Sequence, residues 1–155
     1  MSTEKAKAYL ESLGFGDRVI THEESTATVE LAAQALGVEG ARIAKSLTFM
    51  AGGPIMIVTA GDMKIDNPKY KAEFGTKAKM LTPAEVDELI GHSVGGVCPF
   101  GINDGVRVFL DVSLKRFDVV YPACGGSNNA VRLTVAELEQ LSRSEKWVDV
   151  CKAMA

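Results

Sequence analysis

The chain has 155 residues, 46% hydrophobic and 24% charged, and its 17 Lys and Arg against 20 Asp and Glu give a net charge of −3. These proportions exclude a disordered or low-complexity chain, and the acidic balance excludes a generally basic nucleic-acid coat while leaving room for a local basic patch. The length suits one domain, 1–155, around one core; the longest apolar run (55–60) is far too short to span a membrane, and the polar start lacks a signal-peptide core, so a soluble cytoplasmic domain is expected.

Residues 3–13 place Ala6, Tyr9, Leu10 and Leu13 on one face before Gly14, which predicts an amphipathic helix. Val19 and Ile20 suit a short strand over 18–21. Residues 28–36 form a second helical pattern (Val29, Ala32, Ala33, Leu36) closed by Gly37. From Ile43 the period becomes two, and strict alternation puts Lys45 with Ile43, Leu47 and Phe49 on the apolar side of a strand. A Gly52-Gly53-Pro54 turn and the apolar run 55–60 complete the pattern of a hairpin. Asn67-Pro68 opens a short helix to Gly75, and Thr82-Pro83-Ala84-Glu85 opens another to Ile90. Segments 94–101, 106–112, 117–122 and 129–133 are expected to be short β segments. A capping box at 134–137 starts a helix to Leu141, and 147–150 closes the chain as a strand. Strands scattered among helices without βαβ spacing, and without a strand-GxGxxG-helix unit, indicate an α+β fold on a mixed sheet.

Chemistry concentrates in three places. The stretch Gly91-His92-Ser93-Val94-Gly95-Gly96-Val97-Cys98-Pro99-Phe100-Gly101 could turn successive N–H groups toward an anion or a polarised carbonyl; an ordinary tight turn is the competing reading. Lys45 either snorkels from its strand or awaits an anionic ligand. Five lysines (Lys64, Lys69, Lys71, Lys77 and Lys79) stand against Asp66 and Glu73 in 64–79, which suits a polyanionic partner as well as a solvated face. Cys98 has no neighbouring charge to activate it and reads as a packed or pocket-lining thiol rather than a nucleophile. Three cysteines without a CxxC and two histidines make no ligand set, so neither a metal nor another cofactor is expected.

Taken in order, Arg42-Ile43-Ala44-Lys45-Ser46-Leu47, Gly61-Asp62-Met63-Lys64-Ile65-Asp66, Gly95 through Gly101, Phe109-Leu110-Asp111-Val112-Ser113-Leu114 and Ala123-Cys124-Gly125-Gly126-Ser127-Asn128-Asn129 resemble the YbaK/EbsC family of free-standing aminoacyl-tRNA editing domains. That family is related to the editing insertion of bacterial prolyl-tRNA synthetases, and the resemblance covers roughly 27–152. It implies a strongly curved mixed sheet surrounded by helices, and hydrolysis of the ester of a mischarged tRNA, most often tRNA for proline. The family's lysine matches Lys45, and its Gly-x-x-x-Pro loop matches Gly95 to Pro99. Gly95, Gly96, Val97 and Pro99 are therefore expected to be catalytic alongside Lys45. Ser46, Cys98, Ser127 and Asn128 are expected in the substrate pocket, and the five lysines on the tRNA. Where cysteinyl-tRNA-editing members carry a tyrosine, this chain has Thr21 and His22, so their amino acid is not carried over.

The resemblance also implies that the terminal ribose hydroxyl of the tRNA positions the attacking water, which leaves no need for a protein base. Its implied partners are the acceptor end of an aminoacyl-tRNA and prolyl-tRNA synthetase. Two other classes remain open on the residues alone: a non-catalytic tRNA- or synthetase-binding module, and a cysteine-dependent hydrolase.

Overall fold

The computed structural model describes residues 2–154. In chain order these form α1 (Ser2–Ser12), β1 (Val19–Thr21), α2 (Val29–Leu36), β2 (Ile43–Met50), β3 (Pro54–Ala60), β4 (Met63–Ile65), α3 (Asn67–Phe74) and α4 (Pro83–Glu85), which runs on as a wide turn, Val86–Ile90. There follow β5 (Arg107–Asp111), β6 (Val119–Pro122), β7 (Asn129–Val131), β8 (Leu133–Thr134), α5 (Val135–Ser142), β9 (Trp147–Val148) and β10 (Cys151–Ala153). The helix starts are where the sequence puts them because side chains satisfy their free N–H groups. Thr28, Asp66, Thr82 and Thr134 each accept from the main chain, the last two within full capping boxes.

Six strands form one mixed, curved sheet in the order β8-β6-β2-β3-β5-β9. The β2–β3 hairpin is antiparallel, from Ala44↔Ala60 to Met50↔Pro54, while β6, β5 and β9 join in parallel. Both faces of this hairpin are buried, which accounts for the continuous apolar run in β3. On one face Ala44, Met56, Val58, Ala60 and Leu110 pack under α1, α5, Leu81 and the helical segment 83–90. On the other, Phe49, Ile55, Ile57 and Phe109 pack against Tyr70 and Phe74 of α3 and against Val148 and Val150. Two antiparallel ribbons, β1–β7 and β4–β10, flank the sheet. Among the described residues no helix is long and apolar enough to cross a membrane.

One expected strand is absent. Residues 94–101 form a winding loop, because Gly95 and Gly101 take φ of +99° and +66°, and Pro99 lacks an N–H for a ladder. Two strands were not anticipated: β4 and β10 are three residues each, and they are strands by virtue of pairing with each other.

Candidate active site

The edge of β2 is covered at both ends and open in the middle. β6 pairs with it only at Ile43↔Tyr121 and Ala44↔Pro122, and Ala123 then turns away to bridge Ala130. At the far end the 79–81 segment takes over, with Met50 N–H donating to Lys79 O (2.9 Å) and Leu81 N–H to Thr48 O (3.1 Å). Lys45, Ser46 and Leu47 lie in the gap. A cavity of about 360 Å³ opens there, walled by β2, residues 26–29, Met80 and Leu81, Val94, Gly95 and Val97, and Ala123 with Asn129 and Ala130.

Four of the residues expected from the sequence therefore line one cavity: Lys45, Ser46, Gly95 and Val97. Lys45 is the sole charged residue among the described residues of that lining. It leaves the strand on the Leu47 and Phe49 side, and its ammonium donates to the carbonyl oxygens of Gly61 (3.3 Å) and Met63, with the Met154 thioether 3.6 Å away. Burial pushes its pKa below the ordinary lysine value, and the nearby negative groups offset this only in part. The turn that receives it is itself fixed. Asp62 is gripped by both arms of Arg116 (2.6 and 3.0 Å), and Met154 N–H donates to Asp62 O (3.1 Å).

The Gly95–Pro99 loop lines the cavity with Gly95 and Val97. Gly96 N–H is committed to Ser93 O at 3.0 Å, so it is not free to hold a substrate oxygen. Gly96 instead allows a close packing: a Cβ there would stand 2.5–2.6 Å from the main chain of Gly125 and Gly126. Among the described residues, the amides of Gly95 and Val97 have no hydrogen-bond acceptor. Pro99 is buried and faces a second depression, beside Tyr9, on another side of the molecule.

Three further expectations need correction. Cys98 is not on the cavity wall: it is 0% exposed in the core, near His92 Nε2 (3.5 Å) and Phe100 O (3.7 Å), and burial pushes its thiol pKa far up. Ser127 and Asn128 face solvent; Ser127 acts through its main chain, and Asn128 through its main chain and through its Nδ2, which donates to His22 O at 3.1 Å. Their carbonyls accept from Thr26 N–H (2.6 Å) and His22 N–H (2.7 Å) and so hold residues 22–26 at the cavity. The side chain that turns inward is the next one, Asn129, whose Oδ1 accepts from Cys124 and Gly126 N–H. Lys69 already has a partner: it pairs with Asp149 at 3.0 Å and reaches Cys151 O, so part of the charge expected for phosphate is matched within the protein.

The other lysines remain exposed. Lys64 lies directly across the β4–β10 ribbon from Lys152, next to the turn that holds Lys45. Lys77 and Lys79 lead into Met80 at the cavity rim, and Lys71 lies on α3. Met80 and Val94, 61% and 66% exposed, give that rim an apolar surface that the linear pattern does not reveal. The one signal that could have found Met80 and Lys152 is pairing across the sheet, which acts between residues far apart in the chain.

A family model described as an aminoacyl-tRNA editing domain matches residues 23–141. The chain is 51% identical over 154 residues to the uncharacterized protein YwhH of Bacillus subtilis (strain 168), covering 98% of each. It is 29% identical to the multifunctional Ser/Thr-tRNA deacylase ProXp-y of Escherichia coli (strain K12), over 89% of this chain and 86% of that one. A crystal structure provisionally named as a trans-editing enzyme for prolyl tRNA synthetase superposes with a TM-score of 0.88 at 33% identity, covering 98% of both chains.

Proposed function

The chain belongs to the family of aminoacyl-tRNA editing domains, and we propose that it hydrolyses the ester of a mischarged tRNA, tRNA for proline first among them, in the cavity beside β2. One observation carries this reading: a lysine and a glycine loop about fifty residues apart in sequence line one cavity whose other described lining residues are all uncharged. An aminoacyl ester is already activated, so modest help suffices. Water adds to the acyl carbon, the carbonyl oxygen becomes an oxyanion, and the carbon–oxygen bond to the ribose then breaks. The ribose oxygen leaves with a proton that originated on the water.

The free amides of Gly95 and Val97 are the donors suited to the oxyanion; removing one such donor from an acyl-transfer site typically costs about 3 kcal/mol. Lys45 supplies the positive charge. Its ammonium, desolvated and aimed by two carbonyls, interacts more strongly with developing negative charge than it would in water. No Asp, Glu or His is on the described wall to serve as base, which agrees with a water positioned by the tRNA's own ribose. Thr26, Ser46 and Thr48 give the cavity lining small polar residues beside its apolar ones, and the E. coli relative is named for serine and threonine.

The test is deacylation of tRNA for proline charged in turn with alanine, cysteine, serine, threonine and 2-aminobutyrate. At least one ester should be cleaved, and Lys45→Ala, still folded by circular dichroism, should be at least about tenfold slower on it. Undiminished turnover by that variant overturns the assignment of Lys45.

A further inference from the structure

Ser46 lies at the centre of the gap in the β2 edge, and the register fixes which way its main chain points. Leu81 donates to Thr48 O and Met50 donates to Lys79 O, so Thr48 and Met50 turn these groups away from β3. Along an antiparallel ladder that direction repeats every second residue, and Ser46 therefore turns its N–H and C=O the same way as Thr48. On that side β6 has already ended its pairing at Ala44, and 79–81 has not yet begun. Both main-chain groups of Ser46 thus face the cavity with no strand opposite. The side chain adds a second, independent observation: Ser46 Oγ is buried and makes no hydrogen bond. Buried polar atoms without partners are rare, and this one sits on the same residue as the two unpaired main-chain groups.

We propose that this open edge holds the α-aminoacyl group of the substrate as a one-residue β-bridge: Ser46 C=O accepts from the α-ammonium, and Ser46 N–H joins the amides of Gly95 and Val97 as a third donor to the ester carbonyl oxygen. The match is stereochemical. An extended residue presents its N–H and C=O toward the same side, and an extended α-aminoacyl ester presents a nitrogen donor and a carbonyl acceptor with one carbon between them. The site then reads the class of ester, an α-amino acid, independently of the side chain. The remaining wall reads the side chain by size. The bridge rests on the editing activity proposed above, and it deepens that activity by naming the feature shared by all the substrates.

The experiment compares seryl-tRNA for proline with 3-hydroxypropionyl-tRNA, and alanyl-tRNA with propionyl-tRNA, each pair differing only in the α-amino group. Rates are expressed as acceleration over the spontaneous hydrolysis of the same ester. The wild-type protein should accelerate the aminoacyl ester at least about tenfold more than its desamino counterpart, since hydrogen bonds to charged groups are worth more than neutral ones. Ser46→Pro removes the N–H at an edge position where proline is tolerated, and it should bring the pair to within about twofold. Ser46→Ala, which keeps both main-chain groups, should retain the preference. Equal acceleration of both esters by the wild-type protein overturns the bridge whatever the variants do, and this comparison stands even if the proline variant does not fold. Failure to cleave any aminoacyl ester overturns the editing activity itself, a result distinct from cleavage without preference.

Discussion

On a largely apolar strand face, two main-chain carbonyls give the Lys45 ammonium hydrogen bonds in place of those that burial removes from water. Residues that never touch it contribute as well: Arg116 holds Asp62, and Asp62 shapes the turn whose carbonyls point at the ammonium. The cysteines illustrate the opposite case. Cys98, Cys124 and Cys151 are all buried, and desolvation raises each thiol, Cys124 and Cys151 to about 11. A thiol must ionise to react, so none should be alkylated by iodoacetamide at neutral pH in the native protein, and all three should be once it is unfolded. Mass spectrometry of the treated protein checks this. Rapid native labelling accompanied by loss of deacylation would return the thiol hydrolase to consideration.

At the level of elements, the site is made where elements stop. The cavity exists because β6 ends its pairing at Pro122 and the 79–81 segment begins at Thr48, leaving a short stretch of β2 uncovered. The Gly95–Pro99 loop reaches that stretch only because it can press against the 125–126 turn at Gly96, where there is no room for a side chain. Gly96→Ala must push one of two backbones aside. Overpacking of this kind costs about 1–3 kcal/mol, so the urea midpoint should fall measurably, and deacylation should fall further because the Gly95 and Val97 amides move with the loop. An unchanged midpoint and unchanged activity would show that the two turns yield without cost.

Across the whole molecule the charges are sorted by whether they are paired. Arg18, Arg107, Arg116 and Lys69 are each matched by a carboxylate (Glu137, Glu145, Asp62 and Asp149), while Lys64 and Lys152 face each other with like charge. An acidic protein thus carries two exposed lysine pairs, Lys64 with Lys152 on the β4–β10 ribbon and Lys77 with Lys79 before Met80. These are the positions suited to the phosphates of an acceptor arm. Replacing Lys64, Lys77, Lys79 and Lys152 with Gln should raise KM more than it lowers kcat. It should also flatten the salt dependence of binding, by roughly 0.7–0.9 in log–log slope for each phosphate that is no longer neutralised. A variant with the original KM and slope would mean that the arm docks elsewhere.

The sequence by itself determined the local structure and its punctuation. Capping residues fixed where the helices begin, left-handed glycines where several of them end, and the two-residue period fixed the β2–β3 hairpin, since these depend on groups within a few residues of each other. Lys45 and the Gly95–Pro99 loop were marked by the resemblance of their motifs to the editing family, beside the alternation of β2 and the clustered glycines. Tertiary structure alone decided which of the marked residues line one cavity. Cys98 went to the core, Ser127 and Asn128 to the surface, and Asn129 inward, because each side chain follows the direction of its own short segment against a distant one. The strands β4 and β10, the partner of Lys69, and the open edge at Ser46 come from the same source. Each depends on what lies opposite in space, and hydrogen-bond partners separated by tens of residues leave no period in the sequence.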